Sequence, residues 1–328
     1  MKDVKDRHCP LISVLIPAYN HEKYIGACIR SVMAQDWPRM ELVIVDDGSS
    51  DGTWKAIQIL GKEARKSGRF ERVEAATQVN GGTCVTLNRL CEMARGDVIA
   101  EIASDDMYLP GAFSALMRPL LEDESVGVVV GQNELMDGDG RTCLWDEDRN
   151  VCYDETGRHY ATFNQYLEWR TGIVGHSERF GRYEAFLETN HVANGFLVRR
   201  SYLDCVLPYQ REAPLEDLWL HLQLSKICKY CSIDTHTFRY RWHTTNTAKQ
   251  TKRMSVATAK TLQWEYDHVM ALGEAHWIEA VKKAAHSDKK MFSLFGLIEV
   301  HRVQDFKTSR RFLQIGKRRF MYHQRRFF

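Results

Sequence analysis

The sequence predicts an α/β fold with a mostly parallel sheet flanked by helices. Two observations carry this. Short apolar runs alternate with amphipathic segments of helical spacing through residues 11–130. Several of those runs end in acidic or polar loops, whereas hairpins would end in tight two-residue turns. Such alternation implies right-handed crossovers between parallel strands.

The elements follow in order. Residues 11–16 are apolar, stop at Pro17 and read as a buried strand, with a loop starting at Tyr19 and Asn20. Residues 22–35 have helical spacing, with Ile25, Cys28, Ile29 and Val32 on one face, and Trp37-Pro38 ends the segment. A second strand, 41–45, stops at Asp46-Asp47-Gly48-Ser49-Ser50-Asp51-Gly52-Thr53, before a helix over 54–65. Residues 73–76 form a weaker strand, Asn80-Gly81-Gly82 a turn, and 83–94 a helix. A strand over 97–102 ends at Ala103-Ser104-Asp105-Asp106. Helix 110–121 and strand 126–130 follow. Residues 132–190 are less regular, with a hairpin-like turn at Asp137-Gly138-Asp139-Gly140. Strands at 196–198 and 233–241 enclose a helix over 218–227, and from 251 onward the pattern is helical and increasingly basic.

Bulk properties narrow the class. A chain of 328 residues suits one large α/β domain, 1–250, plus an extension, 251–328. Residues 1–131 would form its first half and 132–250 its second. A charged fraction of 27% argues against disorder, and a net charge of +2 gives no global field for nucleic acid. No apolar run reaches the roughly 18 residues of a membrane-crossing helix, and residues 1–8 do not read as a secretory leader. Nine scattered cysteines fit free thiols in a reducing cytoplasm, and Cys228-x-x-Cys231 lacks the second pair of a zinc site.

Carboxylates at strand ends carry the candidate chemistry, because open α/β sheets bind ligands beyond the carboxyl ends of their strands. Asp46 and Asp47 could accept from a base N–H or a ribose hydroxyl, or cap the next helix. Asp105 and Asp106 would repel each other unless a divalent cation relieved them, and oxygen ligands suit Mg2+ or Mn2+. Glu216 and Asp217 open an apolar-periodic helix, where a carboxylate can stabilise the helix dipole or act as a rigid general base. His243, beside Arg241, closes a strand and could reach a diphosphate or the metal.

In this order the segments resemble a family-2 glycosyltransferase with the GT-A fold. The resemblance rests on Ser13 to Asn20 (S-V-L-I-P-A-Y-N), Val43 to Thr53 (V-I-V-D-D-G-S-S-D-G-T), Asp105-Asp106, Glu216-Asp217 and Arg241-Trp242-His243. It covers about three-quarters of the chain, and the ordered set is more specific than any one motif. It implies an inverting enzyme using a UDP-sugar and Mn2+ or Mg2+. Pro17, Ala18, Tyr19 and Asn20 would lie at the uracil pocket, with Asn88 also on the nucleotide side. Asp46 or Asp47 would bond the base, Asp105 would face the ribose or an arginine, and Asp106 would ligate the metal, with His243 as a second metal or diphosphate contact. Asp217, beside Glu216, would deprotonate the acceptor hydroxyl. Trp169, Arg170, His191 and Asn194 are candidates for the acceptor side.

The chain departs from the family pattern in places. Ala103 stands where a further acid is common, and Leu87 precedes Asn88 where a basic residue is common. The Q-x-x-R-W motif of processive members is missing, so transfer of one sugar is expected. The acceptor would be a glycan carried on a polyprenyl diphosphate, as in surface-polysaccharide synthesis. Residues 306–328 mix arginines with aromatics, which suits an anionic membrane surface and predicts a cytoplasmic enzyme peripheral to the inner membrane face. The alternative is a non-catalytic nucleotide-sugar or glycan-binding protein on the same fold, although binding alone needs no base such as Asp217.

Overall fold

The computed structural model describes residues 9–154 and 156–285 with their side chains, and the backbone of 288–294, 298–305, 310–315 and 318–322. Its elements begin with β1 (Ile12–Ala18), α1 (Ile25–Met33), β2 (Met40–Asp46), α2 (Thr53–Lys66), β3 (Arg72–Thr77), α3 (Thr83–Met93) and β4 (Val98–Glu101). Then come β5 (Met107–Tyr108), α4 (Ala112–Glu122), β6 (Val126–Asp137), β7 (Leu144–Trp145), β8 (Val151–Cys152) and α5 (Phe163–Thr171). After these run α6 (Tyr183–Glu188), β9 (Leu197–Arg199), α7 (Arg200–Val206), α8 (Glu216–Leu224) and β10 (Lys229–Trp242).

Eight strands form one sheet in the order β3-β2-β1-β4-β9-β6-β10-β5. β1 to β4 are parallel, and β9 runs antiparallel to both β4 and β6. β6 therefore points the same way as β4, and β10 pairs parallel with β6. The carboxyl ends of β1, β2, β4, β6 and β10 thus share one edge. Register sharpens this, because Ala18 lies opposite Asp46 and Asp46 opposite Thr77.

The sheet is held by its apolar faces. β2 is buried along its whole length, as a strand covered on both sides must be. Ile25, Cys28, Ile29 and Val32 of α1 are all buried in the core with Ile12, Val14 and Ile16 of β1, as helical spacing predicted. Exposing one such side chain would cost roughly 1.5–3 kcal/mol, so the β1–α1 turn is fixed from both sides.

Contacts divide the chain into two compact units. The first is Met1–Arg182, His191–Tyr209 and Gln223–Thr245, which contains the sheet. The second is Tyr183–Asn190, Gln210–Leu222 and Asn246–Phe328. The predicted helical extension is present as α9 (Thr251–Leu272) and α10 (Ala275–Ala285). Beyond Ala285 the expectation of continued helix is corrected. The backbone forms an antiparallel sheet of β11 (Asp288–Leu294), β12 (Ile298–Asp305), β13 (Arg310–Ile315) and β14 (Arg318–Tyr322). β-Branched Ile298, Val300 and Val303 favour strand, a signal that the density of basic residues obscured. The side chains of 306–328 lie outside the described residues. Among the described residues no helix is long and apolar enough to cross a membrane.

Candidate active site

At the β1 and β2 ends, the loops lock together. Asn20 takes a left-handed conformation (φ 53°). Its N–H donates to Ser49 Oγ (2.9 Å), and its Oδ1 accepts from Ser50 N–H (2.8 Å). Glu22 accepts from Gly52 N–H (2.9 Å), and a Cβ at Gly52 would push the Glu22 carboxylate out of that bond. Pro17 and Ala18 are the last residues of β1, and Tyr19 is 49% exposed beside them. The first N–H of α2, that of Thr53, donates to Asp51 (2.9 Å). That relieves Asp46 and Asp47 of the capping role.

The two differ in what they have left to offer. Asp47 is consumed by the turn after β3. Its Oδ1 accepts from Gln78 Nε2 (2.8 Å) and Gly81 N–H (2.9 Å), and its Oδ2 from Gly82 N–H (2.9 Å). Asp46 Oδ2 accepts from Thr77 Oγ1 (2.8 Å) and Ser49 N–H (3.3 Å). Asp46 Oδ1 is buried with no hydrogen-bond partner among the described residues. An orphan buried acceptor costs about 1–3 kcal/mol, so Asp46 is the one ready to take a ligand N–H. Asp46→Ala is expected to weaken nucleotide binding with the thermal midpoint nearly kept. Asp47→Ala should instead free the 78–82 turn and lower the midpoint. Calorimetric titration with UDP alongside thermal unfolding checks this, and the reverse pattern would refute it.

Asn88 is committed elsewhere. Its Nδ2 donates to Tyr209 O (3.0 Å) and its Oδ1 accepts from Tyr209 N–H (2.7 Å), which clamps α3 to the segment after α7.

Asp105 and Asp106 lie just past β4, and their environments pull them apart. Asp105 Oδ2 is 2.9 Å from His243 Nε2, and its Oδ1 is 3.9 Å from His21 Nδ1. Burial alone would raise the Asp105 carboxyl, but the His243 bond and the neighbouring imidazoles outweigh it and hold it below the ordinary range. Asp106 Oδ1 accepts from Arg241 N–H (2.8 Å), and its Oδ2 is buried with no hydrogen-bond partner among the described residues. Burial, then the Asp105 charge, push the Asp106 carboxyl well above its usual value. Asp105 is thus the stronger acid of the two and Asp106 the weaker.

The sequence reading gave the metal to Asp106 and the ribose to Asp105. The geometry groups Asp105, and not Asp106, with His243 and with His21, which the motifs did not flag. Ligand atoms of these three lie within 4.8 Å of one another. Arg241 lies beside Asp105 but bonds its backbone: Nε donates to the Asp105 carbonyl O (2.7 Å), while Nη1 reaches Asp137 O and Gly138 O (both 3.3 Å). One carboxylate and two imidazoles form a set that fits a divalent cation.

The acceptor-side candidates scatter. Asn194 lies near enough to Asp106 to favour its charged form. His191 is buried, with Nε2 accepting from Gly181 N–H (3.0 Å), a structural bond. Trp169 and Arg170 sit on α5, whose start is tied to β6 where Thr162 bridges Glu134 and Asn164 Nδ2 donates to Gly131 O (3.1 Å). Trp169 is 39% exposed and packs on Tyr160 and Tyr166, and Arg170 lies 5.8 Å above the Tyr166 ring.

In the second unit, Glu216 and Asp217 form the first turn of α8. Asp217 Oδ1 accepts from Leu218 N–H (2.6 Å) and Oδ2 from Asn190 Nδ2 (2.9 Å). Burial pushes its carboxyl up, against the opposing Leu218 and Asn190 bonds. Packing fixes the helix start, since Leu215 N–H donates to Thr261 Oγ1 (3.0 Å) and Trp219 meets Trp264 edge-on. A held carboxylate of raised basicity suits a general base.

Residues 13–204 match the model for glycosyl transferase family 2. The chain belongs to that family. Chondroitin synthase of Pasteurella multocida is 26% identical over 228 residues, which is 69% of this chain and 21% of that protein. The chain therefore spans about a fifth of the length of this relative. The putative teichuronic acid biosynthesis glycosyltransferase TuaG of Bacillus subtilis is 35% identical over 104 residues, 30% of this chain and 37% of TuaG. Among solved structures, the mannosyltransferase PcManGT from Pyrobaculum calidifontis, in complex with GDP-Man and Mn2+, superposes with a TM-score of 0.55 at 16% identity. It covers 85% of this chain and 75% of its own. S. aureus TarS 1-349 in complex with UDP-GlcNAc gives 0.51 at 17% identity, over 83% and 81%. These likenesses show the GT-A fold.

Proposed function

We propose that this family-2 glycosyltransferase moves one sugar from a UDP-sugar to a hydroxyl of a glycan acceptor, with inversion and with a divalent cation. The observation that carries this is the Asp105–His243–His21 cluster, with Asp105 and His243 buried and His21 half-buried, on the same strand edge as the unpartnered Asp46 oxygen. Complexes of fold neighbours with UDP-GlcNAc and with GDP-Man and Mn2+ support a nucleotide-sugar donor and a metal. The names of the relatives support a role in bacterial polysaccharide synthesis.

The residues divide the work. Asp46 accepts the N–H of the base, with Pro17, Ala18, Tyr19 and Asn20 shaping that pocket. Asp105 and His243 hold the cation, which would offset charge on the departing nucleoside diphosphate. Asp217 takes the proton of the acceptor hydroxyl as it attacks from the face opposite the leaving group. Glu216 adds negative charge at the helix start, which supports its dipole. Incubation with a panel of UDP-sugars, Mn2+ and a polyprenyl-diphosphate glycan tests the whole reading. The expected result is acceptor-dependent UDP release with a product of inverted anomeric configuration. Nucleotide binding without release under any donor would establish a binding protein instead.

The basic segment 306–328 is read as attachment to an anionic membrane surface, each cation near it adding about 1 kcal/mol. The full chain is expected to pellet with phosphatidylglycerol vesicles and a chain ending at residue 305 to stay in solution. Equal pelleting of both would count against it.

A further inference from the structure

Building on the metal-assisted reading above, we infer that His21 is a third protein ligand, and that the two-imidazole, one-carboxylate site binds a transition-metal ion without the donor and discriminates against Mg2+. The family motifs account for Asp105 and His243, whereas His21 enters only through its position in space.

Three features support it. The first is spacing. Asp105 presents a different oxygen to each ring, Oδ2 at 2.9 Å from His243 Nε2 and Oδ1 at 3.9 Å from His21 Nδ1. Donors bound to one cation at about 2.1 Å lie about 3 Å apart when adjacent and about 4.2 Å apart when opposite. The set, within 4.8 Å throughout, needs only slight closure to reach that arrangement.

The second is the support around the rings. His21 is anchored by its backbone N–H to Thr53 Oγ1 (2.8 Å), and its Nδ1 lies 2.8 Å from Ser104 Oγ, a bond that the ion would replace. His243 Nδ1 lies 2.9 Å from Thr245 Oγ1, which turns its Nε2 to Asp105. Tyr24 packs against both rings, 5.8 Å from His21 and 4.7 Å from His243, and carries the Arg241 guanidinium 5.0 Å from its centroid. Ligands fixed in this way bind without first being ordered, so donor phosphates are not required to assemble the site.

The third is donor chemistry. Mg2+ takes oxygen ligands in near-ideal octahedral geometry and keeps its waters. Imidazole favours later metals, and affinity rises from Mn2+ through Fe2+ to Co2+. Two imidazoles in three ligands therefore tilt the site away from Mg2+. The proton shared by His243 and Asp105 leaves as the ion enters.

The test uses the full chain free of nucleotide, titrated with Co2+, Mn2+ and Mg2+. Co2+ is followed by its visible absorption and Mn2+ by loss of the free-ion paramagnetic resonance signal. Co2+ is expected to bind more tightly than Mn2+, with Mg2+ displacing neither. His21→Ala and His21→Gln should each weaken Co2+ by about tenfold or more and change its spectrum. Glutamine still offers Ser104 a hydrogen-bonding partner, and circular dichroism confirms that the variants fold. Unchanged Co2+ affinity and spectrum in the folded variants would overturn the third ligand. Mg2+ competing on equal terms would overturn the selectivity. Binding that appears only when UDP is added would defeat this inference and leave the metal-assisted reading standing. No ion bound with or without UDP would bring down that reading itself.

Discussion

Asp217→Asn is expected to lose about 10²–10⁴ in turnover, the usual contribution of general base catalysis, while Mn2+-dependent UDP binding stays at the wild-type level. Asparagine is nearly isosteric, and its Oδ1 can still accept from Leu218 N–H. The start of α8 should therefore hold, and the change removes the ability to accept a proton. The pH profile supplies a second readout. Burial raises the Asp217 carboxyl, so the base is protonated at a higher pH than an ordinary carboxylate. Activity should then fall on the acid side through that raised value, and the limb should vanish in the residual activity of the variant. Steady-state UDP release across pH, paired with calorimetric UDP binding, measures both. Turnover within a few-fold of wild type would remove Asp217 from the chemistry.

Much of the fold was legible because parallel strands covered on both faces read as continuous apolar runs. The face of α1 was readable from four apolar residues at helical spacing, all of which are buried. The acidic edge was readable because each carboxylate follows an apolar run. The choice between Asp46 and Asp47 was not readable, since it depends on a turn some thirty residues further along that takes up both Asp47 oxygens. Asn190 was invisible for a similar reason: its partner Asp217 is 27 residues away and no periodicity links them. His21 carried a weak signal. It follows Asn20 at a strand end, so the same edge rule that selected Asp105 and His243 would have included it. The clamp between the Asn88 amide and Tyr209 was not readable either, because the two lie 121 residues apart.

The pair Asp105 and Asp106 yields the second large effect, because adjacent carboxylates of one motif are expected to behave oppositely. Asp105→Asn removes the anion shared by two imidazoles, and Mn2+ affinity should drop by at least roughly 10²-fold, the upper end for losing mere supporting contacts around a metal. UDP binding should then lose its response to Mn2+, and turnover should fall with it. Asp106→Asn should spare the metal, because Asp106 lies outside the three-residue cluster and an amide oxygen can still accept from Arg241 N–H. The physical reason is desolvation. Two buried carboxylates a residue apart cannot both stay charged without compensation, and the imidazoles compensate only Asp105. Calorimetry with UDP at fixed Mn2+, and again in chelator, reads both variants directly. A metal response lost in Asp106→Asn and kept in Asp105→Asn would return the metal to Asp106, as the motif alone suggests.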